Sequence, residues 1–241
     1  MTHLTYPNES AAYRKARNAL LAEEIALRKH IESVAAQRRA LPPGGEVQED
    51  YLFERIGENG MPEQVEMSKL FGRHHTLIHS FMYGPERDAP CPMCTHLLDS
   101  VHGGARHVGQ RASLYIVAKS PIARLIAWAR ERGWAHFQFL STAGNRYDAD
   151  YFGDTSKLPA EMRKKYAMKH GMKHGENWDE TMFNVFRLDN GTVRHFWGSE
   201  LTWAPTEPGQ HHRSGDAVNA LWGLLDMTPE GRGEFMPKLA Y

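Results

Sequence analysis

The sequence predicts an α/β fold, a central mixed sheet flanked by helices and preceded by a long amphipathic helix. Three observations carry this reading. Short apolar runs of strand length alternate with stretches of helical periodicity. An Asn-Gly pair late in the chain joins two β-type runs into a hairpin. Residues 10–40 contain neither Gly nor Pro and carry an apolar stripe.

That stripe is Ala16, Leu20, Leu27, Ile31 and Val34, spaced among charged residues, with Asn8 or Ser10 placed to cap the helix start. Leu41, Pro42, Pro43, Gly44 and Gly45 stop the helix and mark a hinge. The chain is thus expected to comprise a helix and hinge, 1–45, and one domain, 46–241. Whether the stripe docks on that domain or on a second copy, giving a homodimer, stays open.

Residues 51–54 read as a short strand and 63–71 as a short helix or turn. Residues 76–82 and 113–118 read as buried strands, with a helix between them that begins at Cys91 and Cys94. A further helix is written by Ser120 as cap, Pro121 in the first turn, the stripe Ile122, Leu125, Ile126 and Ala129, and Gly133 as stop. Residues 136–140 form another strand. The alternation predicts right-handed crossovers and a mostly parallel centre.

Residues 142–180 are polar, rich in Lys (Lys164, Lys165, Lys169, Lys173), and read as a solvated insertion with some helix. The runs 182–188 and 192–197 flank Asp189, Asn190 and Gly191, which suit a tight hairpin and an antiparallel edge. Val218, Leu221, Trp222 and Leu225 predict a closing helix. Trp128, Trp134, Trp197 and Trp222 fall within these elements and read as packing residues.

Lys plus Arg and Asp plus Glu both number 29, so no net field draws nucleic acid or an anionic membrane. Residues 1–10 lack a basic start followed by an apolar core, and no apolar run reaches membrane-spanning length; a cytoplasmic chain with no nucleic-acid or membrane partner is expected. Gly103, Gly104 and Gly109 follow a helix rather than a strand, so no nucleotide or other cofactor is expected.

Cys91 and Cys94 are the only cysteines. A helix start offers free N–H groups and the positive end of the dipole, which favour the reactive thiolate. Cys91 sits at that start and reads as nucleophile, with Cys94, one turn inside, as the resolving thiol. Pro90 and Pro92 stiffen the turn, and because Pro92 has no N–H, the donors to the Cys91 sulfur are those of Met93 and Cys94. His79 and Tyr83 are candidates to line the site, and His96 and Asp99 to move protons to and from the leaving thiol, against plain structural roles for all four. Haem attachment is excluded because Thr95, not His, follows Cys94. Zinc is the competing reading, with Cys91 and Cys94 joined by His79, His96, His102 or the pair His170 and His174. No second CxxC follows at finger spacing, and no metal site is expected.

Several blocks carry a family resemblance: 37–42 (QRRALP), 51–53, 70–72, 79–85 (HSFMYGP) leading into Cys91 and Cys94, then Ser120 and Pro121, Gly133 and Trp134, Leu140 and Ser141, and 225–232 (LDMTPEGR). Across almost the whole chain the sequence resembles the thioredoxin-like family called domain of unknown function 899, whose members are predicted dithiol-disulfide oxidoreductases or isomerases. The resemblance implies a thioredoxin-like fold of the peroxiredoxin-like variant, with a disulfide-containing protein or a small thiol compound as substrate. A thioredoxin-fold protein with a binding or structural role is the remaining alternative. Two departures stand out. Thioredoxins place a proline before the hairpin, where this chain reads Asp179, Glu180, Thr181, Met182; and 198–213 differs from the family pattern. The peroxidatic signature is also missing, since its Pro and Thr positions hold Gly84 and Asp88.

Overall fold

The computed structural model describes residues 4–72, 75–170 and 178–241, without the side chains of 165 and 167–170. Helix α1 (Ala11–Arg39) begins where expected: the Ser10 hydroxyl accepts the Tyr13 N–H at 3.1 Å, while Arg38 and Arg39 sit at the negative end of the dipole. Taken by itself, α1 buries none of its stripe. By its internal contacts the chain forms two units, Met1–Pro43 and Gly44–Tyr241.

The second unit is built on one seven-stranded sheet in the order β2-β1-β5-β4-β3-β6-β7. Its strands are β1 (Leu52–Ile56), β2 (Pro62–Glu66), β3 (His75–Ser80), β4 (Ala112–Ala118), β5 (Gln138–Ser141), β6 (Met182–Asp189) and β7 (Thr192–Gly198). Among the described residues only β3, β4 and β5 run parallel to one another, and the other strand pairings are antiparallel. The mostly parallel centre is therefore corrected to a three-stranded parallel core inside a mixed sheet. Strand β3, helix α2 (Pro92–His102), strand β4, helix α4 (Ile122–Arg132) and the β6-β7 hairpin give the thioredoxin-like arrangement, and β5 with β1 and β2 supplies the peroxiredoxin-like extension.

Alternation along the strands produces two cores. Leu114, Ile116 and Phe139 pack under α2 and α4 against Leu97, Leu98, Ile122 and Leu125. Ile78, Tyr115, Val117 and Leu140 face the other way, toward Tyr51, Phe53, Met67 and Tyr147. Strand β3 lies mid-sheet and is covered on both faces, so its polar Thr76, His79 and Ser80 are buried along with Ile78. Gly133 closes α4 at φ +71°, and Asn190 and Gly191 turn the hairpin at φ +50° and +86°. Two short helices, α3 (Ala105–Val108) and α5 (Tyr147–Asp150), follow α2 and β5.

Several expectations change. Residues 63–71 do not form a helix at their start: β2 pairs with β1, and only Met67–Lys69 make a 3-10 turn. Pro62 at the first strand position and the charges of Glu63 and Glu66 suit the edge strand that β2 is. Ser120 is not the cap of α4. Pro121 occupies that position, and the Ser120 hydroxyl donates instead to the Tyr83 carbonyl. Gly44 and Gly45 lie against β7: Gly45 accepts the His195 N–H at 2.9 Å, and a Cβ on Gly44 would stand 2.0 Å from the His195 carbonyl oxygen.

The segment 142–180 is a solvated surface only in part, at 159–164 among others. Tyr147, Asp148, Thr155, Leu158, Tyr166, Asp179 and Glu180 are all buried, and α6 (Ala160–His170) runs through it; residues 171–177, with Lys173 and His174, lie outside the described residues. The closing helix is α7 (Ala220–Asp226), shorter than predicted: Val218 belongs to the 3-10 turn before it, and of the predicted stripe only Trp222 is buried. No helix among the described residues is long and apolar enough to cross a membrane.

Candidate functional site: a dithiol at a helix start

Strand β3 delivers the chain to residues 81–90, and α2 begins immediately after. Cys91 is the N-cap of α2, its own N–H donating to the Met82 carbonyl at 3.0 Å, with Pro92 in the first turn. This places Cys91 at the end of α2 that carries the unpaired N–H groups of the first turn. Cys91 is half-buried, Cys94 is 3% exposed, and the two stand 3.9 Å apart as free thiols.

Their acid–base properties diverge. The Cys91 thiol is drawn down to about 6, first by the hydrogen bond from the Cys94 S–H and then, against the cost of burial, by the N–H groups of Cys94 and Met93 and the charge of Arg87. Cys94 is pushed well up, because its proton is held by Cys91, because it is buried, and because the Cys91 and Glu180 charges lie near; a Met82 backbone hydrogen bond works weakly the other way. The motif thus provides one thiolate and one protonated partner poised against it.

The dithiol forms the floor of a cleft of about 970 Å³. Met82 and Met93 flank the dithiol, Met162 and Tyr166 of α6 supply one wall, and Glu180 and Thr181 the stretch entering β6. Thr202 and Trp203, His211, His212 and Ser214, Trp222 and residues 233–236 complete it. Glu180 is 7% exposed and fully engaged: it accepts the Tyr166 hydroxyl at 2.5 Å and the Thr181 N–H at 2.7 Å. Beside it, Asp179 accepts the Gly84 N–H at 2.8 Å and pairs with Arg87 at 2.8 Å, tying the loop before the cysteines to the start of β6. Trp203 is oriented by its indole N–H on the Met182 sulfur at 3.3 Å and by Tyr166, 5.5 Å away. Arg232, bonded to Asp216 and Asp226, lies over the Trp222 ring at 5.3 Å and anchors the last wall.

Of the residues singled out in the sequence, Cys91, Cys94 and Met93 line the cleft, Pro90 is buried behind the turn and Pro92 is exposed at N1 of α2. His79 is not at the cleft: it is fully buried under the sheet face, stacked on Phe183 at 4.2 Å. Tyr83 is buried against Phe81 and Trp128, with the Arg124 guanidinium 4.2 Å over its ring. His96 packs edge-on to Trp222 at 6.0 Å, and burial lowers its basicity. Asp99 accepts the Trp134 indole N–H at 2.9 Å and pairs with Arg132, which gives it a structural task on the outside of α2.

Of the zinc candidates, His102 sits at the far end of α2, stacked on His136 at 5.0 Å, and His174 and the side chain of His170 are outside the described parts. Among the described residues, no group of three or more His, Cys, Asp or Glu is placed to hold a metal ion. Sequence reasoning missed Arg87, Tyr166, Asp179, Glu180 and Trp203. The only local signal was the concentration of Met and aromatic residues in segments otherwise polar.

Among solved structures the chain resembles reduced Prx3 in complex with H2O2 from Vibrio vulnificus (11% identity, TM-score 0.44, covering 74% of this chain and 99% of that one). It also resembles peroxiredoxin Q from Xanthomonas campestris (12%, 0.46, 73% and 95%) and peroxidoxin BcpB from Mycobacterium tuberculosis (16%, 0.39, 75% and 95%). Resemblance at this level carries no argument about activity. No curated protein matches the chain. A family model described as bacterial protein of unknown function (DUF899) matches residues 3–240, and the chain belongs to that family.

Proposed function

We propose that the protein is a thiol–disulfide oxidoreductase in which Cys91 attacks and Cys94 resolves. The observation that carries this reading is the pair of opposite acid–base shifts on two thiols at one helix start, set at the floor of a cleft. The Cys91 thiolate attacks one sulfur of a substrate disulfide; that S–S bond breaks, a mixed disulfide forms, and the departing thiolate takes a proton. Once Cys91 is bonded, it no longer holds a negative charge or the Cys94 proton, so the largest cause of the raised Cys94 value disappears at the step where Cys94 must ionise. Cys94 then attacks the Cys91 sulfur, the mixed bond breaks, and the second substrate thiol leaves. The substrate gains two electrons and the protein becomes a Cys91–Cys94 disulfide, to be reduced again by an external dithiol.

The test is a redox titration of the full chain, purified without added metal, with parallel metal analysis and mass spectrometry. The expected result is one two-electron transition with loss of two hydrogens and no stoichiometric zinc. Zinc bound through both sulfurs, lost together with folding on chelation, would overturn the enzyme in favour of a structural metal site.

A further inference from the structure

We propose that the cleft over Cys91 takes a compact, uncharged, aromatic or otherwise apolar disulfide of low molecular weight, and not an extended polypeptide. This rests on the redox reading above and adds the class of substrate.

The first argument is the lining. Met82, Met93, Met162, Trp203, Trp222 and Met236 surround the sulfurs, and their polarisable, flexible surfaces adapt to flat apolar groups. A cleft of about 970 Å³, open on one side, is of the size that takes a small molecule. The second argument is the backbone. An extended peptide is held by hydrogen bonds to free main-chain groups at its docking edge. The stretch beside the dithiol offers no such donor at Thr181, whose N–H is already given to Glu180, while the Glu180 N–H is given to the Gly153 carbonyl at 3.0 Å. Thr181 is locked by its own neighbour. The third argument is charge: Glu180 lines the cleft and is held there by the Tyr166 hydroxyl, so an anionic disulfide meets a fixed carboxylate.

The exchange steps are those given above. Cys91 displaces one aryl or alkyl thiolate, Cys94 releases the other, and two thiols leave while a dithiol reductant restores the protein.

The experiment uses the full-length reduced protein and four oxidants: 4,4′-dithiodipyridine, bis(2-hydroxyethyl) disulfide, oxidised glutathione and insulin. Each rate is divided by that oxidant's rate with a simple free thiol, which removes differences in leaving group. The neutral aromatic probe should saturate and exceed the anionic and polypeptide probes by about tenfold or more, and Trp203→Ala should reduce that advantage about tenfold, with Trp203→Phe restoring it. If Trp203→Ala fails to fold, Met236→Ser on the exposed rim should reduce the advantage in the same direction. Insulin or oxidised glutathione matching the aromatic probe, or an advantage unmoved in the folded variants, overturns the proposal. No exchange with any of the four overturns the redox reading itself, and the substrate class with it.

Discussion

Neighbouring residues of β3 carry buried polar groups into opposite worlds. His79 points into the face that holds α2, stacks on Phe183, and has no well-formed hydrogen bond at either ring nitrogen. Burial takes it down to about 4, with only the Met182 backbone favouring the proton, so it is kept neutral. Ser80, the next residue, faces the other side and donates to Asp148 at 3.3 Å; Asp148 also accepts the Thr142 hydroxyl and feels Lys119. Burial nevertheless wins and pushes Asp148 up to about 6.

The thiol face provides the contrast: at Cys91 burial loses, first to the hydrogen bond from the Cys94 S–H and then to two main-chain N–H groups at a helix start, fixed in direction and reinforced by the dipole. Two hydroxyls, free to rotate, do less for Asp148. Depth separates the two groups as well: Asp148 is 5% exposed, whereas Cys91 is half-buried.

The sharpest break of that contrast removes the sulfur itself. Cys91→Ser should reduce disulfide exchange to the uncatalysed background, whereas Cys94→Ser should leave the attack intact and accumulate mixed disulfides, visible as adduct masses. Adducts on the Cys91→Ser protein, and none on the Cys94→Ser protein, would reverse the two roles.

These two cysteines were legible because what sets them at a helix start is local: a strand, a Pro-Cys-Pro turn and a helix start within a few residues. Gly133 and Asn190-Gly191 were legible for the same reason, each being a backbone demand met by one residue type. The cleft was not. Tyr166 and Glu180, Trp203, Trp222 and Met236 come together only through packing across the chain, and none carries a spacing that announces a shared wall. The polar composition of 142–180 concealed its buried aromatics, because Tyr147, Leu158 and Tyr166 follow no helical or strand period. Ser120 misled in the opposite sense: a good capping residue next to a proline, it was recruited by the Tyr83 carbonyl from a different element.

The contrast between the two faces of β3 can be separated by pH. His79 binds its proton more weakly folded than at its ordinary value of 6.5, so between about 4 and 6.5 the unfolded chain holds more protons; the His79 contribution rises with pH and is complete above 6.5. Asp148 binds its proton more tightly folded than at its ordinary 3.8, so its contribution is present at low pH and is lost as pH rises to about 6. The two slopes oppose each other. Asp148→Asn should expose the His79 slope, with stability rising by about 3 kcal/mol from pH 4 to 6.5, and His79→Phe should expose the opposite slope of similar size. Urea unfolding at several pH values reads both. Parallel profiles for wild type and both variants would show that neither group is held as described.

The helix-start half of the contrast is read by the pH profile of alkylation. In the wild type the midpoint for Cys91 should lie near 6, far below an ordinary thiol. Because the Cys94 S–H is the largest cause, Cys94→Ala should move that midpoint up, part of the way to ordinary values, while the main-chain donors hold it below them. An unchanged midpoint in Cys94→Ala would assign the shift to the helix start alone.

The smallest effect tests whether charge beyond the first turn matters at all. Arg87 is the weakest of the causes that favour the Cys91 thiolate, and it is paired with Asp179, so the pair presents little net charge to the sulfur. Arg87→Gln removes the cation and exposes the Asp179 carboxylate, which keeps only its Gly84 N–H. The Cys91 midpoint should therefore rise by a few tenths of a unit, and adding Asp179→Asn should bring it part of the way back, the non-additivity measuring the coupling. Screening gives a second check. Asp179 is buried while Arg87 is partly exposed, so the single variant should respond less to added salt than a pair of surface charges would. Equal midpoints in the wild type, the single and the double variant would leave the Cys91 thiolate to the donors of α2 and the Cys94 proton alone, and would make Arg87 a strut between the cysteine loop and β6.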